Sequence, residues 1–220
     1  TAAATVAVLA VVLSACAVPA ALEPVREAAV GMPIGQDGVT RVSATVPDWS
    51  AGEGTIMASS DFRGREVTFV TGTISAAGQL QLELQVPPRE ALLEVRDAWL
   101  YDANIISSNP QARLAFIYYY GVHQGRQQPV GWLFMDTDED FEDDAQVGDT
   151  YAAYVYSNEP TRIRINDTAT GGHRYIADLN LARGWNRVVT EVISVATGVV
   201  TMRETIDYGR DVTWRYEAAD

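Results

Sequence analysis

Residues 79–86, Gln-Leu-Gln-Leu-Glu-Leu-Gln-Val, alternate polar and apolar side chains without a break. Successive side chains of an extended chain point to opposite faces, so this stretch reads as a β-strand with one face in a core and one in water. A helix would scatter its apolar residues around the circumference. The same period returns in Ile163 and Ile165 against Arg162 and Arg164. It returns again in Tyr175, Ala177, Leu179 and Leu181 against Arg174, Asp178 and Asn180, and in Val212, Trp214 and Tyr216 against Thr213 and Arg215. Further strands are expected at 40–47, 54–60, 66–74, 112–120, 129–135, 150–157, 186–194 and 198–206. Turn chemistry separates them, as in Ala-Ala-Gly at 76–78, Pro87-Pro88, Asn158-Glu159-Pro160 and Ala182-Arg183-Gly184. Only 89–100 hints at a helix. Many short strands at tight spacing, with no βαβ rhythm, predict an all-β domain: an antiparallel β-sandwich, with barrel-like closure as the alternative.

Composition supports a packed domain. Hydrophobic residues make up 47% and charged residues 20% of the 220-residue chain, enough to bury a core. The formal net charge is −13. A surface of that sign repels nucleic acid, which is not expected as a partner.

The single cysteine, Cys16, follows Ser14 and Ala15 after an uncharged apolar run over residues 2–13 that has the length of a signal-peptide core and is short for a membrane span. Leu13-Ser14-Ala15-Cys16 resembles the lipobox of bacterial lipoproteins. The resemblance implies cleavage before Cys16, diacylglycerol on its thiol, and a globular part outside the cytoplasm, anchored at the cell envelope by more than one acyl chain. The basic segment that opens such a signal is expected upstream of Thr1. An uncleaved anchor and a buried structural cysteine are the competing readings. Residues 1–15 are thus read as the signal segment, 16–38 as the lipidated cysteine and a tether rich in Ala, Pro and Gly, and 39–220 as the β-domain.

The piece from Val70 to Leu84, with Gly72, a small turn ending in Gly78, an alternating strand and then Pro87, resembles the first hairpin of transthyretin-like, carboxypeptidase-regulatory-like sandwich modules. Those are mostly non-catalytic extracellular modules, so the resemblance implies a non-catalytic role.

Chemical motifs are sparse. The chain has no G-x-S-x-G, no P-loop, no H-E-x-x-H and no C-x-x-C. Its two histidines, His123 and His173, sit beside glycines in expected turns, where surface imidazoles are ordinary. No catalytic residue is named from these patterns, and an envelope hydrolase acting on polysaccharide or peptidoglycan through a carboxylate pair stays as an alternative. Aromatic residues crowd into neighbouring strands, and Tyr119, Trp132, Tyr154 and Tyr156 are candidates for stacking on sugar rings, as in carbohydrate-binding modules. Core and cross-strand packing is the other use for such rings. Strand alternation across Tyr118-Tyr119-Tyr120 would send the outer two to one face and Tyr119 to the other. Residues 136–144 hold seven acidic side chains in nine positions. Asp136, Asp138, Asp140, Glu142 and Asp144 alternate as ligands to Ca²⁺ do, although Phe141 and Val147 stand where an EF-hand loop has Gly and Glu. A solvated acidic turn is the alternative, and no other cofactor is expected. The expectation is a membrane-anchored, cell-envelope lipoprotein that binds or scaffolds without catalysis, its partner an envelope glycan or protein.

Overall fold

The structure is a computed structural model, and it describes residues 40–47, 49–62, 65–98, 104–136, 145–168, 172–196, 198–207 and 212–219. Cys16, the signal segment, the tether and Asp138, Asp140, Glu142 and Asp144 lie outside the described residues.

The alternating segments form strands where the period places them. Strands β1 (Thr40–Thr45), β4 (Gln79–Leu84), β3 (Arg65–Ile74) and β2 (Gly54–Phe62) lie side by side in that order, all antiparallel. The β3–β4 hairpin closes through Ser75, whose carbonyl accepts from Gly78 N–H at 2.9 Å. Gly78 sits at φ +75°, and a Cβ there would stand 2.7 Å from the Val46 carbonyl, so the turn needs glycine twice over.

The segment expected to hint at a helix divides instead into a 3₁₀ turn (Arg89–Ala91), strand β5 (Leu93–Glu94) and the four-residue α1 (Val95–Ala98). Strand β6 (Ile105–Ser107) follows. The expected strand 112–120 is two: β7 (Arg113–Ile117) and β8 (Tyr120–His123). The rest of the chain gives β9 (Gly131–Asp136), β10 (Thr150–Ser157), β11 (Thr161–Thr168), β12 (Arg174–Leu181), β13 (Gly184–Ala196), β14 (Val199–Ile206) and β15 (Thr213–Ala218).

These fifteen strands make one sheet with the path β1-β4-β3-β2-β8-β9-β10-β13-β14-β12-β11-β6. β15 pairs with β9, and β7 pairs with both β5 and β10. The expected antiparallel all-β fold is observed with one exception, the parallel pair β12–β14. Among the described residues no helix is long and apolar enough to cross a membrane.

Two cores form on opposite faces of that sheet. The first joins Phe69, Leu80, Leu82, Leu84, Tyr120, Leu133 and Trp214 to Tyr154, Tyr156, Trp185 and Val189. The second joins Leu114, Ile163, Ile165, Leu179 and Met202 to Val155, Val188 and Val192. Strands β10 and β13 therefore serve both cores, one set of alternate residues to each. Burial on two faces is why Tyr-Ala-Ala-Tyr-Val-Tyr carries no polar phase.

On the outward face of the second lobe, Arg162 and Asp178 form an ion pair. Arg162 donates from Nε and Nη2 to the two carboxylate oxygens of Asp178, both at 2.6 Å. That bidentate bond holds the Asp178 carboxyl below its ordinary pKa, against a smaller upward push from partial burial. A depressed folded-state pKa contributes stability above the unfolded value of about 3.9 and loses it as pH falls through the lower folded value. Arg162 is half-exposed, so Asp178→Asn is expected to cost no more than about 1 kcal/mol at pH 7. Urea unfolding at pH 7 and again near pH 2 checks this; a gap that persists at the lower pH contradicts it.

Candidate functional site

Away from the first core, the alternate residues of β1, β4, β3, β2, β8, β9 and β15 face water. Pairing registers align them in one row: Arg41, Glu83, Thr71, Met57, Gly121, Trp132 and Glu217. Beside it runs Ser43, Gln81, Thr73, Thr55 and His123. The β1–β4 end is polar and tied together: Arg41 pairs with Glu83 at 3.2 Å, and Gln79 Nε2 donates to Thr45 Oγ1 at 3.2 Å. The β8–β9 end is aromatic.

Trp132 is the centre of that aromatic end and is 41% exposed. A Cβ on Gly121 would lie 3.3 Å from Cζ3 of Trp132 and 3.3 Å from Nε2 of His123. The indole therefore reaches across the strand gap into the space that glycine leaves, with the imidazole beside it. Met57, also 41% exposed, occupies the next strand. Tyr119 is 50% exposed and meets Phe134 edge-on at 6.2 Å. Trp132, Phe134 and Asp136 share one face of β9 by alternation.

Along β9 this face goes progressively under cover. Trp132 is exposed, Phe134 half-buried, and Asp136 only 1% exposed. From Asp136 a second row crosses into the other lobe: Thr213, Asp136, Tyr151, Thr190, Glu204 and Ala177 stand opposite one another in turn. Glu204 is 3% exposed and Thr190 is buried with it. Tyr118, between β7 and β8, stacks on Phe116 and lies among Glu204, Tyr151 and Tyr175. Burial first, then the Glu204 carboxylate and the neighbouring phenols, raise the Tyr118 pKa well above its ordinary value. Its hydroxyl is therefore neutral at physiological pH.

The candidate rings divide between two environments. Tyr119 and Trp132 share the wet face. Tyr154 and Tyr156 are buried in the first core at 5% and 7% exposure, Tyr156 edge-on to Trp185 at 5.4 Å. The alternation expected through Tyr118-Tyr119-Tyr120 is also corrected. Tyr120 points into the first core and meets Trp214 at 5.1 Å, while Tyr118 lies among residues on the second-core side. The chain leaves the extended ladder at 118–119, and that break resets the phase.

Of the expected Ca²⁺ ligands, only Asp136 is among the described residues, buried at the end of β9. Among the described residues, no three His, Cys, Asp or Glu side chains gather as a metal-holding group. Met57, Gly121, Tyr118, Tyr151 and Glu204 were not legible as site residues. Glu204 did carry a signal: in Met-Arg-Glu-Thr-Ile it occupies the same strand phase as core residues Met202 and Ile206.

The arrangement can stack flat apolar rings at Trp132 and Tyr119 and hydrogen-bond polar groups through the Thr, Gln and His rows. Asp136 and Glu204 are three strand spacings apart along their row, about 14 Å on a flat sheet. Compared with models of known protein families, with curated proteins and with solved structures, the chain matches none of them.

Proposed function

We propose that this chain is a non-catalytic binding module of the cell envelope, tethered to a membrane through a lipidated Cys16, and that its outer sheet face binds glycan. The observation that supports this reading is the Met57–Gly121–Trp132 row, in which a half-exposed indole lies over Gly121, the one position of β8 with no side chain of its own. A pyranose has an apolar face of C–H groups and a rim of hydroxyls. The indole and Tyr119 suit the face, and the Thr55, Thr71, Thr73, Gln81 and His123 side chains suit the rim. A protein partner of ordinary size would bury about 800 Å² on each side around an apolar centre. The largely polar rows on this face favour the smaller, hydroxyl-rich ligand.

Calorimetric titration with cello- and chito-oligosaccharides tests the reading. Trp132→Ala is expected to weaken binding at least tenfold, since a stacked ring contributes about 1.5 kcal/mol. Tyr119→Ala is expected to weaken it by a smaller factor. Neither change touches a core, so melting temperatures should stay within about 2 °C of wild type. Absence of binding to every glycan, or ring variants that bind like wild type, overturns the proposal.

A further inference from the structure

We propose that the tip of the β13–β14 hairpin is a lipid-contact element, which places its valines in the headgroup boundary of a bilayer of zero net charge. The proposal goes beyond the glycan reading and needs neither the Trp132 face nor the Cys16 anchor.

The hairpin outruns the sheet. β10 accompanies β13 only as far as Thr150, opposite Glu191, and β12 accompanies β14 only from Arg174, opposite Thr201. The pairs Val195–Val200 and Ala196–Val199 lie past both ladders and form a two-stranded ribbon. Beside β14 the ladder gives way to a turn, where a Cβ on Gly172 would stand 3.8 Å from the Gly198 carbonyl oxygen. A register shift between Val192 and Ser194 marks the ribbon's root, and such a bulge bends a strand away from its sheet. Among the described residues, a Cβ added to Gly198 would meet nothing within 4 Å, so the tip stands in open space.

Residues 192–202, Val-Ile-Ser-Val-Ala-Thr-Gly-Val-Val-Thr-Met, hold no charged side chain. The charges that bound them, Glu191 and Arg203, stand opposite each other at the root. Val195 is 46% exposed, Ala196 is exposed, and Val199 and Val200 are half-buried. A second element brings another valine to the same end. Val147 is 66% exposed, and its loop is tied to the root: Gly148 N–H donates to the Val192 carbonyl at 2.8 Å, and Val192 N–H donates to the Asp149 carbonyl at 2.9 Å.

Size and charge select the occupant. A stable protein interface buries about 800 Å² on each partner, around aromatic or Arg anchors. Four valines and an alanine fall short of that area and supply no such anchor. Ribbon-to-ribbon pairing of two copies has the same shortfall, and it would bring together two chains of charge −13. A bilayer requires neither a matched shape nor a minimum area, because each apolar side chain contributes separately on entry. The outer backbone groups of a two-stranded ribbon still need water, which limits entry to the headgroup boundary. Arg174, exposed at the level of Thr201, sets a guanidinium where headgroup phosphates would lie. The charge of −13 opposes anionic lipid, so a zwitterionic surface is the better fit.

The test uses the full chain carrying Cys16→Ser, which removes the lipidation site and the only native thiol. A polarity-sensitive dye is attached through Val195→Cys or, in the β8–β9 loop, through Gln127→Cys. Phosphatidylcholine vesicles are expected to shift the emission of the Val195→Cys label to the blue and to leave the Gln127→Cys label unchanged. Adding 30% phosphatidylserine should weaken partition several-fold, and 0.5 M salt should restore it. Burial of a valine side chain is worth about a factor of ten, so Val199→Asp should weaken partition at least tenfold; Val199→Ser, a milder change, should act in the same direction and decides the matter if Val199→Asp lowers the melting temperature. An unshifted Val195→Cys label overturns the proposal. Equal shifts at both labels assign the binding to another part of the chain, such as the apolar run at 2–13, and also overturn it. A blue shift that grows with protein concentration in the absence of vesicles shows a second copy on the ribbon and overturns it too. Because the tested chain lacks the Cys16 thiol and no glycan is added, none of these outcomes bears on the tether or on the glycan reading.

Discussion

Trp185→Ala is expected to lower the melting temperature by about 10 °C. The indole is 1% exposed and sits where the shared strand β13 meets the first lobe. It stacks on Phe69 at 6.0 Å and receives Tyr156 edge-on at 5.4 Å. Its Nε1–H donates to the Gln85 carbonyl at 3.1 Å, just past the end of β4. Truncation removes the ring, leaves a cavity among side chains fixed by the backbone, and strips that carbonyl of its donor. Large aromatic to Ala changes in cores cost about 3–5 kcal/mol. For a chain of this size each kcal/mol shifts melting by about 2–4 °C. Trp185→Phe keeps most of the ring contact and loses the hydrogen bond, so it should cost roughly a third as much. Calorimetry with guanidinium unfolding checks both. A shift under about 3 °C for the Ala variant would mean that the first core closes over the gap.

The position of Trp185 also shows why some of the fold was legible and some was not. Period-two alternation names a strand only when one face is wet. β4, β11 and β12 have such faces, and their sequences announce them. β10 and β13 divide their residues between two cores, so alternation is lost exactly where the architecture is decided. Their strand character showed only through β-branched and aromatic content. Strands β5 and β6, two and three residues long, are too short to carry any period. The parallel pairing of β12 with β14 had no local signal, because the two are separated in the chain by all of β13.

The site divides in the same way. Trp132 and Tyr119 could be named as rings, since an aromatic residue stands out wherever it falls. Tyr154 and Tyr156 could be named too, but their strand is covered on both faces, and they became core. Gly121 has no side chain to notice, yet its bareness gives the indole its bed. Asp136 reads in the sequence as the first of an acidic run; in the fold it is the last residue of β9, opposite Tyr151 and Thr213. Strand phase, following Trp132 and Phe134, sets the face on which it lies.

Asn186 carries the other large expected effect. It is 1% exposed, two residues into β13, where the chain has just turned back from β12. Its Oδ1 accepts the Ala182 N–H at 2.9 Å, and its Nδ2 donates to the carbonyls of Ala182 at 2.9 Å and Gly184 at 3.0 Å. A longer contact at 3.4 Å reaches the Val155 carbonyl in β10. One amide thus closes the β12–β13 turn and ties it to the neighbouring strand β10. Asn186→Ala removes the partner of several backbone groups at once. Each buried group left without a partner costs about 1–3 kcal/mol, less whatever water recovers, so a total of about 3 kcal/mol is expected. Asn186→Asp is the sharper probe. Its carboxylate keeps the acceptor for Ala182 N–H and turns a second acceptor toward the same carbonyls, so at neutral pH it should be at least as damaging as Ala. Burial and those carbonyls would raise its folded-state pKa above the unfolded value of about 3.9. A raised folded pKa means stability is present at low pH and lost as pH climbs through that higher value. Lowering the pH from 7 toward 4 should therefore recover stability for Asn186→Asp relative to Asn186→Ala, as the protonated carboxyl regains a donor. Denaturant unfolding of both variants across that range reads the difference. Parallel pH profiles, or an Ala cost under 1 kcal/mol, would show that the turn holds without this amide.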